Sequence, residues 1–129
     1  MKYMVSALAC VFMVCFQGQA LAQSNLNGTW RGTGHQSSAS GAGSDWSIAM
    51  TIKPDGSSID YPSLSCGGTL TQISRTDTSA EFREHITYGQ KACIDGGTIT
   101  VKLQNGQLAW TWFGAQSGKL TNASAVLSR

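Results

Sequence analysis

Alternation constrains this chain more than any other feature. On both sides of Asn105-Gly106, apolar residues fall on every second position: Ile99, Val101 and Leu103 before the pair, Leu108, Trp110 and Trp112 after it. A period of two places side chains alternately on the two faces of a strand, whereas a buried helix face needs a period near 3.6. Asn-Gly accepts positive φ at both central turn positions and reverses the chain in two residues. Thr98–Gln104 and Gln107–Phe113 are therefore expected as neighbouring antiparallel strands.

The same grammar recurs along the chain. Asp45–Lys53 sets Trp46, Ile48, Met50 and Ile52 on one face and Ser47, Ala49, Thr51 and Lys53 on the other. Pro54-Asp55-Gly56 is a turn, since proline pre-sets φ and glycine tolerates its positive values. Ser58–Tyr61 follows, closed by Pro62, which cannot donate to a strand ladder. Cys66–Ser74, Ala80–Tyr88 and Lys119–Ser128 complete the set, the last with Leu120 and Val126 expected inward. Gly28–Gly34 is the opening strand, anchored by Trp30. Gly32–Ser44, nearly all Gly, Ser and Ala around His35, is expected as a loop. Eight short strands with mostly tight connections predict an all-β, antiparallel, eight-stranded meander barrel of calycin-like form. An open β-sandwich of the same strands is the alternative.

The first 22 residues read as something else. Lys2 supplies a positive start, Val5–Phe16 is an apolar run, and Ala20-Leu21-Ala22 fits a small-x-small cleavage site. The run is shorter than the ~20 residues of a membrane span. Residues 1–22 are expected to be a cleaved signal peptide, and 23–129 one exported domain, periplasmic or secreted, with no membrane insertion after cleavage. A lipid anchor is not expected: Cys15 follows Val14, and Cys10 would leave too short an apolar core. The net charge is +2, or +1 once Lys2 is gone. Near-neutral charge without a basic run argues against nucleic acid as a partner.

Cleavage leaves Cys66 and Cys93. An even pair in an exported chain reads as a disulfide. Without clustered histidines the pair has poor spacing for a metal, and no motif points to a cofactor. The segment between them carries the least ordinary strand, Ala80–Tyr88. Alternation puts Glu81, Arg83, His85 and Thr87 on one face and Phe82, Glu84, Ile86 and Tyr88 on the other, so Glu84 is expected inside. A buried carboxylate must be paired or protonated. It could receive a ligand's amine or hydroxyl. It could equally sit in an internal ion pair, or in a hydrogen bond to a tyrosine or indole. The four tryptophans admit two readings likewise: an aromatic grip on a ligand, or a core built from large residues. Asp95, before Gly96-Gly97, is expected to accept N–H groups of its own turn.

Asn27-Gly28-Thr29-Trp30 is similar to the Gly-x-Trp opening of lipocalin- and avidin-like barrels. Tyr61-Pro62-Ser63-Leu64-x-Cys66-x-Gly68, Phe82-x-Glu84-x-Ile86 and Gly89-x-x-x-Cys93-x-Asp95-Gly96-Gly97 together resemble a small extracytoplasmic bacterial domain of uncharacterised function. That domain is found alone behind a signal peptide or attached to serine/threonine kinases. The resemblance implies a bacterial origin and a binding or sensing role, and brings no catalytic residues.

No nucleophile elbow and no paired-carboxylate spacing is present, so an enzyme is not expected. The leading expectation is a monomeric, non-catalytic module that binds a small apolar or glycan-like ligand at the barrel mouth. Glu84, Tyr61, Trp110 and Trp112 would grip it, with Gly32–Ser44 as a lid. The alternative is a module that binds an envelope or extracellular protein, such as an inhibitor of an envelope or host hydrolase, through Gly89–Gly97 and Pro62–Ser65.

Overall fold

The structure is a computed structural model and describes residues 25–36 and 44–129. The expected signal segment, with Cys10 and Cys15, and the middle of the Gly/Ser stretch lie outside the described residues. The strands are β1 (Gly28–Gln36), β2 (Ser44–Ile52), β3 (Ser58–Tyr61), β4 (Cys66–Arg75), β5 (Ser79–Tyr88), β6 (Thr98–Gln104), β7 (Gln107–Gln116) and β8 (Lys119–Ser128). Each pairs antiparallel with the next, and β8 returns to β1, closing the barrel. The sandwich alternative is thereby excluded. Closure leaves no free sheet edge, which an open meander of this size would have to protect.

Hairpin chemistry sets much of the register. Asn105 and Gly106 carry φ of 52° and 78°, pairing Gln104 with Gln107 and, inside, Val101 with Trp110 and Ile99 with Trp112. Ser117 and Gly118 repeat that geometry, at φ of 50° and 77°, and pair Gln116 with Lys119. Alternation alone predicts an end of β7 at Phe113 and an inward Leu120 and Val126. The structure corrects both. With a two-residue turn at 117–118 and even-numbered residues of β7 inside, the odd-numbered residues of β8 must face in. Ala123 and Leu127 are buried, while Leu120 and Val126 are 75% and 58% exposed.

Two other expectations change. β1 continues to Gln36, so His35 lies on a strand and not in a loop; its Nδ1 meets Asp45 Oδ1 at 2.5 Å across the β1–β2 pair. Tyr88, expected inside with Ile86, is about half exposed. A bulge shifts the β4–β5 register between Gly67 and Gly68, so that Gly67 faces Tyr88 while Gly68 faces Ile86. The extra residue turns Tyr88 to the outer face, where its hydroxyl donates to Asp60.

The barrel has two unlike ends. At the base, Trp30 is fully buried, its Nε1 donates to the Leu26 carbonyl at 2.8 Å, and the Arg129 guanidinium lies 4.2 Å from its ring centroid. Arg129 also donates to the Asn27 carbonyl at 3.2 Å. A cation over an indole face is favourable and excludes water from it, so the base is plugged. Above it Met50, Ile52, Ile59, Phe82, Ile99, Val101, Leu108 and Leu127 form the core.

Candidate functional site

The opposite end is built around Glu84. β5 carries it inward with Phe82 and Ile86, and it is 2% exposed. The Tyr61 hydroxyl, at the end of β3, donates to Glu84 Oε2, and Trp112 Nε1, on β7, donates to Oε1 at 3.0 Å. The internal hydrogen bonds anticipated for Glu84 are thus to a tyrosine and an indole, and neither partner is a cation. Burial, first, holds the Glu84 carboxyl above the ordinary carboxylate value; the two donors pull it down, and the Asp95 charge adds to the rise. Tyr61 is pushed up by its burial, then by the Glu84 charge and their hydrogen bond, so it stays a protonated donor.

The wall beside Glu84 is completed by a loop and not by a strand. β5 pairs with β6 only from Ser79 to Arg83. Above that, Glu84 N–H donates to the Gly97 carbonyl at 2.8 Å and Gly96 N–H donates to the Glu84 carbonyl at 3.2 Å. Ile86 N–H donates to Asp95 Oδ1 at 2.8 Å, and Gly96 N–H reaches the same oxygen at 2.9 Å. Asp95 therefore serves its own turn, as expected, and also continues the ladder of β5. These bonds, the Ile86 N–H foremost, hold its carboxyl below the usual range despite some desolvation, with His85 assisting. Gly97 is required by packing: a Cβ there would lie 2.2 Å from Trp112 Nε1. The Cys66–Cys93 disulfide ties the loop to the start of β4, with Cα atoms 6.2 Å apart.

On the other side of the mouth, Pro62–Leu64 forms one 3-10 turn ending at Ser65 in the left-handed region. Ser47 and Ser63 clamp it to β2 reciprocally, each hydroxyl accepting the other's backbone N–H at 2.8 Å. Tyr61 and Leu64 are thereby fixed at the rim.

Between these walls is a cavity of about 240 Å³, lined by Trp46, Tyr61, Leu64, Cys93, Ile94, Trp110 and Trp112, with Gln36, Ser44, Asp45, Ala92 and Gln116 around them. One row across four strands sets two of its indoles. Trp110 faces Ala125, Ala125 faces Gly34, and Gly34 faces Trp46. Two small residues stand between two indoles, and a Cβ on Gly34 would come within 2.8 Å of the Trp46 ring, so the glycine lets that indole lie against β1. Three of the four residues singled out from the sequence line this cavity. Glu84 does not; it stands behind Tyr61 and Trp112 and holds both. Trp46 and Ile94 were missed as lining residues, although the parity of β2 had already placed Trp46 inside.

Trp110 differs from its neighbours. It is 1% exposed, and its Nε1 is buried with no acceptor among the described residues. Among the described residues, no three His, Cys, Asp or Glu side chains gather as a metal site requires. Compared with protein-family models, with curated proteins and with solved structures, the chain matches none.

Proposed function

We propose that this chain is a non-catalytic binding module that holds a small apolar or glycan-like ligand at the open end of its barrel. The observation that carries the reading is the difference between the ends: the base is sealed by Trp30 and Arg129, whereas the mouth keeps an aromatic-lined cavity of about 240 Å³. A barrel that worked only through its outer loops would have no reason to leave space among four buried or half-buried aromatic residues. Tyr61, Trp110 and Trp112 form the grip and Glu84 positions two of them. The disulfide supports an oxidising compartment, periplasmic or secreted, where such bonds persist. It also fits the extracytoplasmic reading of the Cys66 and Cys93 motifs.

A second reading has its own support. The outer face of β7 and β8 presents Phe113, Leu120 and Val126, all more than half exposed, among Ala109, Thr111, Ala115, Asn122 and Ser124. An uncharged face of this kind suits a protein partner in the envelope or outside the cell. Native mass spectrometry of the chain purified from its own cellular envelope separates the two. A small adduct that leaves on unfolding is expected from the ligand reading. A bare chain from every preparation, with a co-purifying protein in its place, would overturn it.

A further inference from the structure

Of the polar groups at the mouth, Gln36, Ser44, Asp45 and Gln116 stand at the partly or fully exposed rim, and Gln36 Nε2 donates to Thr121 Oγ1 at 2.8 Å. Tyr61 and Trp112 spend their donors on Glu84, and those two bonds occupy both its oxygens. Cys93 is held in the disulfide. Asp45, on the rim, is engaged by His35. Of the buried side-chain groups among the described residues, Trp110 Nε1 alone stays without an acceptor, on a side chain that lines the cavity. A buried N–H is expensive to leave unmade, and at the base of the same barrel the equivalent donor of Trp30 is satisfied by Leu26.

We infer that the cavity takes an uncharged, mostly apolar compound of about one substituted ring, carrying a carbonyl or ether oxygen that accepts from Trp110 Nε1. This rests on the ligand-holding reading and narrows it. Size sets the first limit, because the cavity is smaller than the roughly 300–1,000 Å³ of sites for drug-sized ligands. Charge sets the second: among the described residues the lining offers no cation for an anion, and its one charged residue is Asp45. Hydrogen bonding sets the third. A sugar could place hydroxyls only against the rim groups Gln36, Ser44, Asp45 and Gln116; deeper in, against the indoles, Ile94 and the disulfide, the nearby carboxylate is already occupied. Hydroxyls buried there would lose water without replacement. A ring with one acceptor loses nothing of the kind.

The test uses three probes on the intact, oxidised protein: acetophenone, ethylbenzene, which has nearly the same shape without the oxygen, and methyl N-acetylglucosaminide. Binding is followed through the indole N–H resonances in nitrogen–proton correlation spectra. The expected result is a downfield shift of the Trp110 indole proton with acetophenone. Acetophenone should also bind roughly 2- to 12-fold tighter than ethylbenzene, the range of one net hydrogen bond. Trp110→Phe should abolish that preference while ethylbenzene still binds. The wild-type shift stands as a readout if that variant fails to fold. Equal binding of the two aromatics with an unmoved Trp110 proton would overturn the inference and leave ligand binding intact. Binding of the glycoside alone would do the same. Failure of all three would count against the cavity as a ligand site altogether.

Discussion

Glu84→Ala and Glu84→Gln should have very different consequences, and the difference measures what the buried carboxylate does. Truncation to alanine removes the acceptor of two buried donors, the Tyr61 hydroxyl and Trp112 Nε1. Each orphaned donor costs about 1–3 kcal/mol, so the loss should be about 2–6 kcal/mol before any cavity is counted. That is a large part of the ~5–15 kcal/mol that holds a typical domain together. At ~4–8 °C per kcal/mol for a domain of this size, the midpoint should fall by at least ~8 °C. Glutamine is nearly isosteric. Its carbonyl can face Trp112, which only donates, and its amide can face the Tyr61 oxygen, which accepts as readily as it donates. Glu84→Gln should therefore stay within about 1 kcal/mol of wild type in urea or thermal unfolding near neutral pH. The pH dependence supplies a second reading. Because the folded state holds the Glu84 carboxyl above its ordinary value of 4.5, folded chains keep a proton that unfolded chains have released. That contribution is fully present below pH ~4.5 and is lost as pH rises through the raised value. Glu84→Gln should remove this decline. Equal losses for alanine and glutamine, or an unchanged pH profile in the glutamine variant, would refute the reasoning.

The remaining predictions concern the walls. Reducing Cys66–Cys93, or replacing both by serine, should cost ~3–4 kcal/mol in the chain-entropy account, since 27 positions separate the two residues; unfolding with and without reductant measures it. Asp95 has the opposite linkage to Glu84. Its lowered carboxyl adds stability that is present above the unfolded value and lost as pH falls through the folded one. Acid titration of Asp95→Asn should lack that loss below pH ~4, the region of the ordinary aspartate value. Gly97→Ala should displace the Trp112 indole, cost about 1–3 kcal/mol as an overpacking change, and shift the Trp112 indole N–H resonance. Val126→Ala should stay within about 0.5 kcal/mol while Leu127→Ala costs about 2–5 kcal/mol; chemical denaturation of the pair checks the parity of β8 directly.

That parity shows how far local pattern carries. Strands β6 and β7 were legible because large apolar residues alternate without ambiguity around Asn105-Gly106, and β5 delivered Glu84 inward by the same rule. β8 offers Leu120 and Val126 on one face against Ala123, Ala125 and Leu127 on the other, and hydrophobicity alone favours neither strongly. The deciding information lies in Ser117-Gly118, a two-residue turn whose geometry transmits the parity of β7 to β8. Read as such, it would have turned the odd-numbered residues inward from sequence alone. Tyr88 was out of reach in a different way. Its exposure follows from a bulge between two strands, and no pattern within β5 announces it. The cavity was hidden for the same kind of reason. That Trp110, Ala125, Gly34 and Trp46 share one row is known only once three strand registers are known.

The two ends of the barrel use the same side chain to opposite effect, and the hydrogen bonds explain how. Trp30 at the base has its N–H on Leu26, its ring against the core and its face under Arg129, so every surface of the indole is spoken for. At the mouth Trp112 is held by Glu84 and kept at a fixed tilt by the absence of a side chain on Gly97. Its N–H is spent, but its ring borders open space. Trp110, one inward position deeper, is buried, and its Nε1 has no acceptor among the described residues. A buried carboxylate placed behind such a wall serves it better than a free one in the cavity would. It engages the Tyr61 hydroxyl and the Trp112 N–H, so below the polar rim of Gln36, Ser44, Asp45 and Gln116 the surface left to a ligand is mostly aromatic, and among the described residues the sole buried side-chain donor without a partner is that of Trp110. On this view Glu84 determines what the site recognises by removing hydrogen-bonding groups from it, and replacing Glu84 changes the ligand's surroundings through Tyr61 and Trp112, without any contact of its own.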